Sequence, residues 1–241
     1  MEGTTNFKDI AELWALLQPS LDQIISAEES GDASQRLPTH TYSQLYSVVY
    51  TVCTKAECHQ AGVVDQLYKR VGQFVDGYCR ERLAPQLRGL PPDRLVPQVL
   101  ARWGRFTTVL KRITSIFSYL DRHYCQSLRL RTTKEAGVNS FRLLVVDPVV
   151  EELSNAVLNG LQAARASSGS VAEPDQLKSV SQMFVELGLD KLFFYQENIE
   201  QPYLTQVRSI IDKEMAIARQ VLHASTEAKV EQLLPQQTSH Q

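Results

Sequence analysis

Helical periodicity governs this chain from near its start. Residues 8–27, KDIAELWALLQPSLDQIISA, place Ile10, Leu13, Trp14, Leu17, Leu21 and Ile24 in i, i+3, i+4 rows, the spacing that lines one face of an α-helix. Pro19 interrupts that row, and its missing N–H and its ring predict a kink or a division there. The same period dominates the chain, and no segment gives a convincing alternation with the period of two that a half-buried strand requires. The prediction is an all-α chain of about eight to ten helices joined by short loops.

Punctuation gives the boundaries. EESGDASQRLPTH (28–40) is polar, with Gly and Pro, and reads as a loop. Thr41 followed by Gln44 fits a capping box, so the second helix is expected from about Thr41 to Glu57. A third helix covers 63–87 and ends around Pro85, RGLPPDR (88–94) is a turn, and 95–127 gives one long helix or two with a break near Gly104. Segment 128–147 is basic at first and then apolar and β-branched, with no clear period. Asp147-Pro148 reads as an N-cap followed by Pro at the first helical position, opening a helix to about Ala164. RASSGSVAEPD (165–175) is a linker, 176–189 is an amphipathic helix closed by Gly188, a last helix spans 201–223, and the tail is expected to fray.

Several function classes fall away. Among 241 residues, 43% are hydrophobic and 22% charged, and the formal net charge is −2, so nothing global attracts nucleic acid or an acidic membrane. The basic residues Arg122, Arg129, Arg131 and Lys134 lack aromatic interleaving and read as a solvated face. LLVVDPVV (143–150) is too short to span a bilayer, and MEGTTNFKDI lacks the basic start and apolar core of a signal peptide. Cys53, Cys58, Cys79 and Cys125 are then expected as reduced thiols in a cytoplasmic or nuclear chain. The histidines are dispersed, and Glu28-Glu29 and Glu151-Glu152 are adjacent pairs pointing in different directions on a helix. There is no G-x-G-x-x-G, P-loop or G-x-S-x-G, so no catalytic residue, cofactor or metal site is expected.

One stretch asks for an explanation. YSQLYSVVYTVC (42–53) puts tyrosines at 42, 46 and 50. On a wheel of about 100° per residue they fall near 0°, 40° and 80°, with Cys53 near 20°. Leu45, Val48, Val49 and Val52 fill the adjoining arc. Two readings are open. The rings either pack inside with their hydroxyls satisfied, or the helix buries its aliphatic flank and offers the aromatic flank to a partner.

These twelve residues resemble the second helix of the cullin N-terminal domain, Y-x-x-L-Y-x-x-V-Y-x-x-C. LYKRVGQFV (67–75), Trp103 with IFSYLDRHY (116–124), SVSQMFVELGL (179–189) with FYQENIEQPYL (194–204), and EMAIARQVLHASTEAKV (214–230) are similar to later cullin segments in the same order. The resemblance covers about residues 10–234. It implies a cullin-repeat-like helical stack: a first, adaptor-binding five-helix repeat at 1–127, a partial second repeat at 128–234 and a flexible tail at 235–241.

What the resemblance implies about function is a non-catalytic scaffold of the cullin-RING ubiquitin ligase pathway. The adaptor contacts carried over by motif position are Tyr42, Leu45, Tyr46, Val49 and Tyr50 on the second helix, and Tyr119, Arg122 and Tyr124 on the fifth. The Tyr-x-x-Leu-Tyr-x-x-Val-Tyr face is most similar to cullins that take Skp-type adaptors carrying F-box proteins; BTB and elongin C adaptors share the adaptor fold and stay possible. No nucleic-acid or membrane partner is implied. The chain departs from the family pattern in a compressed 128–160 and a shortened stretch before the last helix. It also lacks the C-terminal region that recruits the RING-box subunit, so that subunit is not expected to bind. A truncated product, an isoform and a diverged paralogue all fit. The rival reading is a helical scaffold or tethering subunit of an unrelated complex, which would not require the tyrosine stripe.

Overall fold

Asp9 opens the first helix by accepting from the Ala11 N–H at 3.0 Å, and Gly31, with φ of 68°, closes it in the left-handed conformation that suits glycine. In this computed structural model, residues 9–166 and 174–221 are described. The helices are α1 (Ile10–Ser30), α2 (Thr39–Thr54), α3 (Ala56–Gln60), α4 (Val63–Tyr78), α5 (Pro92–Ile116), α6 (Ser118–Leu120), α7 (Thr133–Phe141), α8 (Val150–Ala166), α9 (Pro174–Leu187), α10 (Phe193–Tyr195) and α11 (Gln201–Val221). Wider π turns at Cys79–Leu83, Asp121–Cys125, Arg142–Val146 and Gln196–Glu200 extend α4, α6, α7 and α10. The all-α expectation holds: no strand occurs among the described residues.

Tertiary burial overrides local breakers in two helices. α1 runs through Pro19 as one helix, and α5 runs through both Pro97 and Gly104 without the expected break. In each case the apolar row is buried on both sides of the breaker: Leu13, Trp14 and Leu17 before Pro19, Leu21 and Ile24 after it, and Val99 and Trp103 before Gly104, Phe106 and Leu110 after it. A glycine costs a helix about 1 kcal/mol relative to alanine, less than one buried leucine or phenylalanine returns.

Two predicted caps are not formed. α2 begins at Thr39 after an extended Pro38 with no side-chain cap, so Thr41 already lies inside the first turn. Asp147 has helical φ and ψ of −54° and −37° and continues the chain from the preceding π turn instead of starting a helix. The capping box that does form is Thr132 with Glu135. The Glu135 N–H donates to Thr132 Oγ1 at 3.2 Å and the Thr132 N–H donates to Glu135 Oε2 at 2.8 Å. It starts α7, a helix hidden in the segment without clear period. The chain reaches it through a Schellman turn, in which Arg129 takes the left-handed φ of 54° and the Leu130 N–H donates to the Cys125 carbonyl at 2.9 Å.

α5 is the spine. It packs on α1 and α2 on one side and on α7, α8 and α9 on the other. Trp103, Phe106 and Phe141 meet with ring centroids 4.8–6.0 Å apart and tie α5 to α7. Gly137 lets α7 come this close, because a Cβ there would collide with buried Leu110. Trp103 Nε1–H also donates to Glu186 Oε2 at 3.0 Å, which anchors α9. The apolar core is therefore continuous from Leu13 to Ile199, across the turn at 128–132. Most of the expected linker (167–173), the end of the last helix beyond Val221 and the tail at 235–241 lie outside the described residues.

Urea unfolding tests this placement of caps and core. Thr132→Ala is expected to lower stability by about 1 kcal/mol and Thr41→Ala by less than about 0.5 kcal/mol. Phe141→Ala should lose about 3–5 kcal/mol. A larger loss at Thr41 than at Thr132 would contradict the capping described above.

Candidate protein-docking face

The tyrosine helix divides its residues as a two-sided element should. Leu45 (4% exposed), Val49 (0%) and Val52 (1%) are buried, and Val48 is half-buried against the core. Tyr42 and Tyr46 are half-buried, while Tyr50 is 45% exposed. Beyond Tyr50 the α2 surface is a row of hydroxyls that bond back along the helix: Ser47 to the Ser43 carbonyl (2.8 Å), Thr51 to that of Ser47 (2.8 Å) and Thr54 to that of Tyr50 (2.9 Å). His59 Nε2 meets the Cys53 carbonyl at 2.7 Å and helps close the C-terminal end of α2.

A second element completes the face. At Phe117 (φ −94°, ψ 11°) the α5 helix bends into α6, and α6, with Leu120 buried, packs against α2. This brings the Tyr119 ring to 4.6 Å from that of Tyr50, edge to face at 74°. His123 then stacks on Tyr119 at 4.0 Å and 25°. Tyr50, Tyr119 and His123 thus form a ladder of three rings across two helical elements. Arg122 is exposed beside it, with its Nε–H donating to the Ser118 carbonyl at 3.3 Å. Desolvation raises the Tyr119 hydroxyl above its ordinary pKa, and the nearby Tyr50, Cys53 and Tyr46 add to that while Arg122 opposes it.

A half-buried carboxylate holds the second element in place. Asp121 accepts from the backbone N–H and from the hydroxyl of Thr133, both at 2.7 Å, which ties the π turn to the start of α7. Burial raises the Asp121 carboxyl, and these bonds to Thr133 work against that rise. Neither Asp121 nor His123 is singled out by the sequence reading. His123 was findable, since it lies four residues after Tyr119 on one helical face. Asp121 was not, because its partner is twelve residues away on another element.

The eight residues predicted from sequence therefore separate. Tyr46, Tyr50, Tyr119 and Arg122 share one surface. Tyr42 sits at its edge, where burial raises its hydroxyl beside the Arg112–Glu28 ion pair (3.1 Å). Leu45 and Val49 hold the helix from below and offer no surface of their own. Tyr124 turns away toward α4: its hydroxyl donates to Asp65 Oδ1 at 3.1 Å and its ring lies 6.1 Å from that of Tyr68. Burial and that bond push its hydroxyl up to about 12.

The arrangement is suited to binding. Large rings with polar edges, set on a rigid helix pair and rimmed by hydroxyls and an arginine, match the anatomy of a protein interface. Among the described residues no group of three or more His, Cys, Asp and Glu could hold a metal ion, and no helix is long and apolar enough to cross a membrane. All four cysteines are buried.

Comparison with known proteins agrees with this architecture. The family model for the cullin alpha solenoid domain matches residues 14–237. Cullin-1 of Oryza sativa subsp. japonica is 24% identical over 192 residues, which cover 80% of this chain and 25% of that protein. Cullin-2 of Arabidopsis thaliana is 26% identical over 186 residues, covering 77% of this chain and 24% of its own length. Putative cullin-like protein 2 of Arabidopsis thaliana is 23% identical over 203 residues, covering 82% of this chain and 52% of its own. The chain thus spans about a quarter of the length of these two cullins and about half of the shorter relative. With an all-helical fold and a family match over most of its length, the chain belongs to the cullin family.

Proposed function

We propose that the Tyr50–Tyr119–His123 ladder, with Tyr46 and Arg122 beside it and Tyr42 at its edge, docks a substrate adaptor. In this reading the chain is a non-catalytic scaffold module of the cullin-RING ubiquitin ligase pathway. The observation that carries the reading is the ladder itself. A ring of tyrosine's size left 45% exposed at Tyr50, and braced edge-on by Tyr119, is preorganised contact area that loses little side-chain freedom on binding. Leu45 and Val49 contribute from beneath by fixing the angle at which α2 presents its rings.

The preferred occupant is a Skp-type adaptor carrying an F-box protein. Its support is the Tyr-x-x-Leu-Tyr-x-x-Val-Tyr spacing, which resembles that adaptor class more than those of BTB or elongin C type. Adaptor docking needs only the surface on α2 and α6, and a RING-box subunit is not expected to bind these residues. The proposed division into an adaptor-binding repeat at 1–127 and a second repeat at 128–234 puts the whole docking surface in the first.

Capture of purified adaptors by the immobilised chain tests this. The Skp-type adaptor should bind, and Tyr46→Ala and Tyr50→Ala should each weaken it by at least about tenfold with far-UV circular dichroism unchanged. Tyr124→Phe should bind as the parent does, since Tyr124 faces α4. Capture of a BTB or elongin C adaptor instead would reassign the class, and capture of none would favour the unrelated tether. Stability separates the two layers of the face: Val49→Ala should cost about 1–3 kcal/mol in urea unfolding, against under about 1 kcal/mol for Tyr50→Ala. The reverse order would make the rings part of the core.

A further inference from the structure

Outside the docking face the fold buries a guanidinium. Arg102, in the middle of α5, is 8% exposed. Its Nη1 donates to the Gln98 carbonyl at 2.8 Å and to the Gln98 side-chain oxygen, and its Nη2 donates to Gln86 Oε1 at 2.8 Å. All three acceptors are neutral. Among the described residues no carboxylate lies within ion-pair distance of Arg102, and its Nε has no hydrogen-bond partner. Burial lowers its pKa below the usual range, and nearby Arg105 adds to that. A cation taken out of water without an anion is expensive, and an unbranched apolar side chain would fill the same space without that cost.

A second buried polar group sits beside it. Tyr78, at the end of α4, is 5% exposed, and its hydroxyl likewise has no hydrogen-bond partner. Tyr78 and Arg102 both line a cavity of about 470 Å³, within the range of small-ligand pockets. Glu29, Glu81, Arg82, Gln86 and Arg105 are the other polar groups of its wall. The π turn Cys79–Leu83 and the 3-10 turn Ala84–Gln86 shape its rim, and π turns recur at functional sites. Gln86 is held by donating from Nε2 to the Arg82 carbonyl at 2.6 Å, which leaves its Oε1 for Arg102. Arg82 is itself neutralised by Glu29 at 2.8 Å. The remaining charges of the wall are Arg102 and Arg105 against Glu81, a net positive cavity.

We propose that this cavity binds a phosphate-type dianion, with Arg102 and Arg105 supplying the charge and the Tyr78 hydroxyl a further donor. The side-chain oxygen of Gln86, which lines the cavity, takes the Arg102 donor that an anion oxygen would take in its place. A guanidinium with a planar fork of donors is matched to phosphate oxygens. The site lies about 25 Å along the helix axis from Tyr119, so it is separate from the docking face. The dianion has two sources, a free phosphate monoester or a phosphorylated serine of another chain.

Titration calorimetry on the full 241-residue chain at constant ionic strength tests the proposal. The probes are inorganic phosphate and a short phosphoserine peptide, with the unphosphorylated peptide as control. Saturable one-site binding with a Kd below about 10 mM is expected for at least one of them. Tighter binding of the phosphopeptide assigns the source to a protein, and equal binding assigns it to a free phosphate. Arg102→Met should weaken binding by at least about tenfold. At the exposed positions, where folding is not at risk, Arg105→Gln should weaken it about threefold and Glu81→Gln should tighten it about threefold. No saturable binding, or affinities that do not respond to Arg105→Gln and Glu81→Gln, would overturn the site.

Discussion

Burial of the α5 row against its neighbours fixes where everything else can go. Val99, Trp103, Phe106, Leu110 and Ile113 are all within 8% of complete burial, and α5 touches helices from both halves of the chain. That seam is apolar and continuous, so it holds the helix through Pro97 and Gly104 and sets the height at which Phe117 can bend the chain into α6. The docking face is a consequence of that bend. Without it Tyr119 would continue along α5 and would not reach Tyr50.

Polar contacts then fine-tune what apolar burial positions only coarsely. Asp121 clamps the π turn to Thr133 with two short bonds, and the capping box of Thr132 and Glu135 starts α7 immediately beside it. The rings of the ladder are thus braced by a carboxylate on the opposite side of their own turn. The face gains rigidity from this, and a rigid aromatic surface loses less entropy on association than a mobile one.

Much of this was legible in the sequence, for definable reasons. The helical period located α1, α2, α4, α5 and α9, because one-sided burial writes itself into i, i+3, i+4 spacing. The tyrosine spacing left two readings open, and the structure places Leu45 and Val49 in the core, Tyr42 and Tyr46 half-buried and Tyr50 exposed. α7 was obscured by its basic lead-in and by Gly137, although Thr132-x-x-Glu135 is a capping signal that a stricter scan would find. A kink or division at Pro19 and a break near Gly104 were expected from local cost alone, and both helices run on because burial is decided by partners distant in sequence. Tyr124 was grouped with Tyr119 by motif, yet motifs carry no orientation, and its hydroxyl went to Asp65. The Asp121 clamp and the π turns left no local mark at all.

The central claim is that the rings on α2 and α6 are the surface a partner covers. Tyrosine-selective labelling, read by mass spectrometry with and without a saturating Skp-type adaptor, tests it residue by residue. The account predicts that the adaptor protects Tyr46, Tyr50 and Tyr119, while labelling of Tyr68, Tyr124 and Tyr195 stays unchanged. Protection confined to Tyr195 or Tyr203, or unaltered labelling at Tyr50 in a complex shown to be saturated, would contradict it.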